Sequence, residues 1–263
     1  MVVRLIYLGL ATVWWAATVF RARKSAVVLC YHAVTAAQKS KFLWQMKTLR
    51  NQSINPDQLV AGNFGVNSVC VTFDDAFECL IRNAVPVAEE CGVDITIFAV
   101  SENMGEAPKW GMDDNRGDTN ELIMTYDQLA DVSKNPRCII GSHTATHPKL
   151  ASLSKEQLNR ELGGSREQLA SNLGVAIDYL AFPHGSYNDL VTETSREAGY
   201  KAVFSLDELC ITPKGNEYVL GRFSASPDMW PIEFVLTVKG AYSWLYGWRR
   251  LLRRVRKRLS GSA

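Results

Sequence analysis

The chain has 263 residues, of which 47% are hydrophobic, enough to bury one large core or two small ones. Its net charge of +2 conceals an uneven distribution, because residues 1–24 and 249–258 hold 4 and 7 of the 29 Lys and Arg residues and no Asp or Glu. The intervening residues 25–248 therefore carry 18 basic against 27 acidic residues, a net charge of −9. An acidic body argues against nucleic acid as a partner and leaves the basic ends to meet an anionic surface.

The six cysteines form no CxxC pair and follow no regular spacing, and three of them lie inside apolar runs. Disulfide frameworks usually show an even number of cysteines at regular spacings in a short secreted chain. We therefore predict buried free thiols in a reducing compartment rather than disulfides.

The first predicted element is residues 5–20, a run without a charged residue. A helix that spans a bilayer typically needs ~20 apolar residues, and ~17 is near the minimum. Arg21, Arg23 and Lys24 follow where a signal peptide would show a small-residue cleavage site, which favours a retained segment with this flank in the cytosol. We interpret residues 1–24 as a membrane-associating segment, either a short span or an in-plane anchor. A cleaved signal peptide and a helix buried in the core are the alternatives.

Apolar runs rich in β-branched residues then alternate with helical patterns along the chain. The predicted strands are residues 26–31, 68–75, 94–100, 138–140, 179–182 and 202–205. Capping-box patterns at 125–128 and 154–157 predict helix starts, and Pro86 should interrupt the helix that follows the second strand. The alternation predicts one α/β domain over residues 25–237, with a largely parallel sheet or barrel. The irregular residues 101–124 form a loop long enough to cover a site.

Residues 238–263 form the last predicted element. Seven basic residues surround one apolar helical stripe, which consists of Leu245, Trp248, Leu252, Val255 and Leu259. The pattern predicts an amphipathic helix lying on an anionic membrane surface, and a basic helix packed on a partner or bound to nucleic acid is the alternative. Because free thiols and anionic lipid both point to the cytoplasm, we expect a membrane-associated protein on the cytoplasmic face of the inner membrane.

Titratable residues cluster at the predicted strand ends. Asp74 and Asp75 end the second strand, and all four histidines of the chain lie just beyond strands, namely His32, His143, His147 and His184. Because the carboxyl ends of parallel strands meet at one edge of a sheet, we expect these side chains to converge. Two imidazoles with one carboxylate make a ligand set for a catalytic divalent metal that leaves positions open for water. A helix cap formed by Asp75 is the alternative role for the acidic pair.

Three segments, in this order, resemble a known family: TFDD at 72–75, SHTATH at 142–147 and AFPHGSYN at 181–188. They are similar to the three leading motifs of polysaccharide deacetylases, the NodB-homology or carbohydrate esterase family 4 group. The resemblance runs from Val27 to Arg222. It implies a distorted (β/α) barrel and metal-dependent removal of N-acetyl, sometimes O-acetyl, groups from sugars.

The resemblance also implies roles for individual residues. By position, Asp75, His143 and His147 would hold a divalent metal, usually zinc, and Asp74 would be the general base. The metal and the backbone N–H groups near His184 would stabilise the oxyanion that forms when water attacks the amide.

The general acid is less directly implied by the motifs. His32 is the candidate, because it completes a Tyr-His pair similar to one in exopolysaccharide deacetylases and suits proton donation near neutral pH. His184, which stands where tyrosine is common, is the alternative. The chain also departs from the family. Ala76 replaces a frequent glycine, Ala181 stands where many members have the arginine that holds the catalytic aspartate, and neither a DxxDW segment nor a late Leu-x-His motif near Ser224 is present.

The sequence therefore predicts a metal-dependent deacetylase that removes an N-acetyl group from an amino sugar of a lipid-linked glycan or polysaccharide precursor. The predicted cofactor is a divalent metal, with zinc favoured, and the predicted partners are the amino-sugar substrate and an anionic membrane surface. An N-deformylase of a lipid-linked amino sugar is a close alternative, because the same groups serve both reactions. A catalytically silent, carbohydrate-binding member of the family is the alternative from a different functional class.

Overall fold

The computed structural model describes residues 2–18, 24–111, 121–213, 217–248 and 251 of the chain. These residues contain one curled sheet whose strands are all parallel, in the order β7-β6-β5-β4-β3-β2-β1-β8. The strands are β1 (Ser25–Tyr31), β2 (Val66–Phe73), β3 (Ile95–Ala99), β4 (Cys138–Ser142), β5 (Tyr179–Ala181), β6 (Ala202–Phe204), β7 (Val219–Leu220) and β8 (Phe223–Ser224). The first six were predicted from the sequence, whereas β7 and β8 are too short to show a pattern.

Helices follow most strands and cover the outer side of the sheet. They are α1 (Val2–Thr18), α2 (Lys39–Leu49), α3 (Pro56–Val60), α4 (Cys79–Asn83), α5 (Val85–Cys91), α6 (Tyr126–Ser133), α7 (Lys155–Asn159), α8 (Ser165–Leu173), α9 (Asp189–Glu197) and α10 (Pro231–Val238). The predicted break at Pro86 is confirmed, because α4 ends before Ala84 and α5 begins with Pro86 in its first turn. Thr125 and Ser154 accept the predicted capping hydrogen bonds at the starts of α6 and α7.

The chain between residues 219 and 224 brings the two edges of the sheet together. Leu220 of β7 pairs with Phe204 of β6, and Phe223 of β8 pairs with Leu29 of β1. Only two residues separate these strands, so one short segment changes partner from one edge to the other. Gly221 is needed at this crossing, since a Cβ there would lie 2.2 Å from the carbonyl oxygen of Asp207. The curled parallel sheet confirms the predicted distorted (β/α) barrel.

Alternating side chains of the strands divide the core into two parts. Val27, Leu29 and Tyr31 of β1 pack in the larger cluster, which also contains the apolar side chains of the surrounding helices. Ala26 and Val28 belong to a smaller cluster that fills the barrel interior, together with aromatic rings from β3, β5 and β6. All six cysteines are free, as predicted. The core therefore depends on apolar packing rather than on covalent links.

The N-terminal helix α1 packs against α10 and the residues that follow it. Ala11, Leu236 and Ala241 are buried together at this contact. No helix within the described ranges is both long and apolar enough to cross a membrane. Most of the predicted C-terminal amphipathic helix, residues 238–263, lies outside the described residues. In its described part, residues 244–248 are helical. The domain boundaries after residues 24 and 237 stay predictions. The second boundary falls one residue before the end of α10.

Candidate active site

A cavity of about 180 Å³ opens at the carboxyl ends of the strands. It is lined by both aspartates and all four histidines that the sequence analysis singled out, that is, Asp74, Asp75, His32, His143, His147 and His184. Trp110, Gly111, Leu206 and Ser224 complete its wall. The predicted convergence at one end of the sheet is therefore observed, although the roles of these residues stay predictions.

The turn after β2 places the two aspartates in different surroundings. Asp74 continues the strand, because its N–H donates to the carbonyl oxygen of Tyr31 at 2.9 Å. Asp75 (φ +71°) and Ala76 (φ +53°) then adopt left-handed backbone conformations, which cost about 1–3 kcal/mol each for residues other than glycine. Glycine, which the family resemblance implies at position 76, would adopt this conformation without that cost. Asp75 does not cap the next helix, since Glu78 stands at the N-cap of α4.

Asp75 faces two imidazoles from the loop after β4. Its Oδ1 lies 3.8 Å from Nε2 of His143 and 3.6 Å from Nε2 of His147. One donor atom from each of these three residues lies within 4.8 Å of the others. Around a tetrahedral zinc ion with bonds of ~2.1 Å, donor atoms are about 3.4 Å apart. Small side-chain movements would let the three residues hold such a metal, and the donor set does not specify which one.

A hydrogen bond orients His143, and burial keeps both histidines neutral. Nδ1 of His143 donates to the carbonyl oxygen of Ala181 at 2.9 Å, which leaves the Nε2 lone pair facing the carboxylates of Asp74 and Asp75, each 3.8 Å away. Burial lowers the pKa of His143, and burial together with the neighbouring His143 and His184 lowers the pKa of His147 to about 2. Both rings are therefore neutral near pH 7, which is the form that binds metals.

Asp74 forms a buried ion pair with Arg222, one of the two residues between β7 and β8. Nη1 and Nη2 of Arg222 donate to Oδ1 and Oδ2 of Asp74 at 2.6 and 2.9 Å, and Arg222 is 0% exposed. Burial raises the pKa of Asp74, but the charges of Arg222 and His143 outweigh it and hold that pKa well below its usual range. Cys30 also donates its thiol to Oδ2 at 3.3 Å. Asp74 is therefore ionised and fixed in orientation.

Arg222 resolves a departure found in the sequence. Ala181 stands where the resemblance implies an arginine beside the aspartate, so the sequence shows no cation paired with Asp74. The structure supplies that cation from the crossing between β7 and β8, where Arg222 also donates to the carbonyl oxygen of Ser205 and to the hydroxyl of Thr72. A single arginine inside the apolar run YVLGRFS was the available signal, because arginine is almost never fully buried unless it is paired.

Both candidate general acids reach the cavity. A ring nitrogen of His32 lies within 4.8 Å of a carboxylate oxygen of Asp74, whereas the ring of His184 lies 4.7 Å from that of His147. Burial and the charge of Lys149 lower the pKa of His184, which works against its carrying a proton near neutral pH. The lowered pKa of His184 favours His32, and the assignment of the acid stays a prediction.

Trp110 was not identified from the sequence as a site residue. Its ring stacks on that of His147 with centroids 4.2 Å apart and an angle of 22° between the planes. The residue belongs to the irregular segment that was predicted to cover a site, and it forms one wall of the cavity. Residues 112–120 of this segment lie outside the described part of the chain.

Glu161 holds the loop that carries His143 and His147. Its carboxylate accepts hydrogen bonds from the N–H of Ala145 at 3.0 Å, from the N–H of Thr146 at 2.9 Å and from the Thr146 hydroxyl at 2.6 Å. Glu161 lies in a π-helical turn, Arg160–Gly164, between α7 and α8, and such turns are frequent at functional sites. Residues 143–147 of this loop are not helical.

Comparisons with known proteins agree with this architecture. The family described as polysaccharide deacetylase matches residues 61–203, more than half of the chain. A poly-β-1,6-N-acetyl-D-glucosamine N-deacetylase of Staphylococcus aureus (strain MSSA476) is 25% identical over 241 residues, which cover 78% of this chain and 80% of that protein. IcaB from Ammonifex degensii superposes with a TM-score of 0.67 at 22% identity, over 82% of this chain and 97% of that one. Streptococcus pyogenes deacetylase PplD in complex with acetate gives a TM-score of 0.67 at 19% identity, over 81% and 98%.

We predict that Arg222→Met reverses the way stability depends on pH. With Arg222 present, the lowered pKa of Asp74 contributes stability above pH ~4, which is lost as the pH falls. Without it, burial raises the pKa of Asp74 above its unfolded value, so the ionised form destabilises the fold increasingly from pH 4 to 7. The loss should reach about 3–5 kcal/mol at pH 7. Chemical denaturation of the metal-free proteins at several pH values measures it.

Arg222→Lys is the matched control for this experiment, because it keeps a positive charge opposite Asp74. Its stability deficit should vary much less with pH than that of Arg222→Met. An equal, pH-independent loss in both variants would contradict the electrostatic role and leave only a packing role for Arg222.

Glu161→Gln is expected to weaken metal binding. The amide oxygen can accept from the loop, but the loss of charge weakens three hydrogen bonds that fix the position of His147. Loss of an outer-shell partner typically costs about 10–100-fold in metal affinity. Competition with a chromophoric zinc chelator measures this, with the exposed Glu193→Gln on α9 as the control. Equal zinc affinity in Glu161→Gln and the unsubstituted protein would show that the loop does not need this carboxylate.

Proposed function

Because this chain belongs to the polysaccharide deacetylase family, we propose that its cavity removes the N-acetyl group from an amino sugar of a glycan with the help of a divalent metal. The observation that carries the proposal is the pairing of two unlike carboxylates at the end of β2. Asp75 faces two neutral histidines, while Asp74 is kept ionised by Arg222. One aspartate is thus suited to hold a metal and its neighbour to accept a proton.

Hydrolysis of an amide requires a nucleophile, stabilisation of the developing negative charge and a proton for the leaving amine. A divalent metal held by Asp75, His143 and His147 would acidify water and polarise the amide carbonyl. Asp74 takes a proton from the attacking water, and its ion pair with Arg222 keeps it ready to do so. Once the C–N bond breaks, His32 gives a proton to the amine, so that one water and one amide yield acetate and the free amino sugar.

Backbone N–H groups near His184 support the oxyanion in this proposal. His184 lies in the turn Pro183–Gly185 at φ +57°, a strained conformation for a residue other than glycine. Strain of this kind is often retained at functional sites, where it orients backbone groups. The turn lines the same cavity as Asp74 and Asp75.

The relatives favour a polymer of N-acetylated amino sugars as the substrate. The Staphylococcus aureus relative is named as a deacetylase of poly-β-1,6-N-acetyl-D-glucosamine. The cavity of about 180 Å³ is smaller than the ~300–1,000 Å³ of pockets that enclose drug-sized ligands. An acetamido group could therefore enter it while the rest of the glycan lies across the mouth.

We also propose that the glycan is linked to a lipid or held at the cytoplasmic face of the inner membrane. The apolar N-terminal segment and the basic residues at both ends support this location. The six free cysteines agree with a reducing compartment. An N-formyl group would fit the same machinery, so acyl identity is an outcome of the assay: formate in place of acetate would show a deformylase.

Asp74→Asn separates an enzyme from a silent carbohydrate-binding protein. The substitution should leave zinc bound to Asp75, His143 and His147, as measured by elemental mass spectrometry. Turnover of an N-acetylglucosamine oligomer should fall by about 10²–10⁴-fold, because a positioned base is lost. Retained zinc also shows that the site is folded, which matters because Arg222 then faces a neutral amide.

Asp75→Asn is the companion variant, and it should lose both zinc and turnover. Full turnover in Asp74→Asn would remove Asp74 from the role of base. A protein that binds zinc and the oligomer but never releases an acyl group, even without substitutions, would support the silent binding protein instead.

A further inference from the structure

The fold brings the two ends of the chain to one face of the molecule. Arg4 of α1 forms an ion pair with Glu233 of α10, and its guanidinium lies 4.4 Å from the centre of the Trp230 ring. Near the other end of the contact, Trp14 donates to the hydroxyl of Ser243 at 3.3 Å. Residues 1–24 and 238–263 are separate elements in the sequence, yet their described parts pack together.

Helix α1 is apolar on two opposite sides, and the described residues cover only one of them. The stripe that faces the protein is Arg4, Leu8, Ala11 and Trp15. The opposite stripe is Val3, Ile6, Leu10 and Val13, whose side chains are 49–68% exposed. A helix that is hydrophobic all round is normally buried on all sides. This outward stripe therefore has the composition of a contact surface, and we name Val3, Ile6, Leu10 and Val13 the α1 face.

Half-exposed tryptophans lie on α1 and beside it. Trp14 lies on the helix next to the α1 face, and Trp248 follows one turn after Trp244, whose ring stacks on Tyr7 at 5.9 Å. Trp230 lies beneath Arg4, on the side of α1 that faces the protein. Tryptophan concentrates at the boundary between water and lipid, because its ring is apolar and its N–H is polar. This arrangement is typical of a helix that lies in a membrane interface.

Charge identifies the kind of membrane. Arg21, Arg23 and Lys24 come directly after α1, and seven basic residues between 249 and 258 come directly after Trp248. Tyr7 and Trp14 of α1 contact residues 243–244, so the described segments that precede these two basic stretches lie beside each other. Each basic residue close to an anionic surface contributes about 1 kcal/mol, whereas residues 25–248 carry a net charge of −9. The basic residues that follow these two segments would therefore draw this part of the molecule to an anionic surface.

We propose that the α1 face lies in the interface of an anionic bilayer and docks the catalytic domain on it. Nη2 of Arg4 donates to the carbonyl oxygen of Asp228 at 3.5 Å, and Asp228 comes four residues after Ser224, which lines the cavity. Four residues span at most about 14 Å, so the residue that Arg4 contacts lies no farther than this from the cavity lining. Docking would present the cavity to glycans at the membrane surface. The presentation of glycans rests on the proposed function, whereas the docking does not.

The test is sedimentation of the full chain with vesicles, compared between two double variants. Val3→Asp with Val13→Asp alters the α1 face, and Val60→Asp with Val66→Asp makes the same changes at two other exposed valines. Both variants change the net charge equally, so general repulsion from lipid is matched. Vesicles of phosphatidylcholine mixed with phosphatidylglycerol provide the anionic surface, and pure phosphatidylcholine provides the neutral one. Circular dichroism and thermal unfolding verify that both variants keep the fold.

The unsubstituted chain and the Val60/Val66 variant should bind the anionic vesicles, and binding should weaken on neutral vesicles and at high salt. The Val3/Val13 variant should lose about tenfold or more in partitioning. Equal binding of vesicles by the two folded variants would overturn the proposal. It would also be overturned if the unsubstituted chain bound no lipid and light scattering showed a dimer that the α1 substitutions dissociate. No substrate is needed, so a failure here is distinct from a failure of the deacetylase proposal.

Discussion

The buried ion pair between Asp74 and Arg222 is the interaction on which the rest of the structure depends. Arg222 lies where the chain crosses from one edge of the sheet to the other, and Asp74 lies at the end of β2, which β1 separates from β8. Their two hydrogen bonds therefore join the closure of the barrel to the chemistry of its mouth. Removing two charges from water is costly, and an apolar pair of the same size often gives equal or greater stability. A functional reason for keeping the pair is that Arg222 keeps Asp74 ionised although the carboxylate is buried.

The same pair allows two adjacent carboxylates to do different work. Asp74 is held by a cation and a thiol, while the left-handed turn at Asp75 and Ala76 directs the next carboxylate to two imidazoles. Because their environments differ, two adjacent carboxylates can take different roles, one as a base and the other as a metal ligand. The strained turn, the Glu161 contacts and the stacked Trp110 then fix the remaining groups around these carboxylates.

The repeating pattern of strands and the order of the motifs could be predicted from the sequence, because both are local. Six strands, the break at Pro86 and the six titratable residues of the cavity follow from periodicity, capping and the position of strand ends. Arg222 could not be paired with Asp74, since the two are 148 residues apart and no local pattern links them. Strands β7 and β8 are two residues each, too short for a periodicity to appear. The packing of α1 on α10 was also missed, because an apolar helix does not reveal which of its faces meets the protein.

The central claim is that this site hydrolyses the acyl amide of an amino sugar and needs a metal to do so. The most direct measurement is acetate release from a β-1,6-linked N-acetylglucosamine oligomer, followed by mass spectrometry of both products. We predict release by the purified protein, loss after chelation and recovery when Zn²⁺ or another divalent ion is returned, with one acetate for each free amine formed. Release that survives complete removal of metal would contradict the account, as would zinc-loaded, folded protein that binds the oligomer and leaves every acyl group in place.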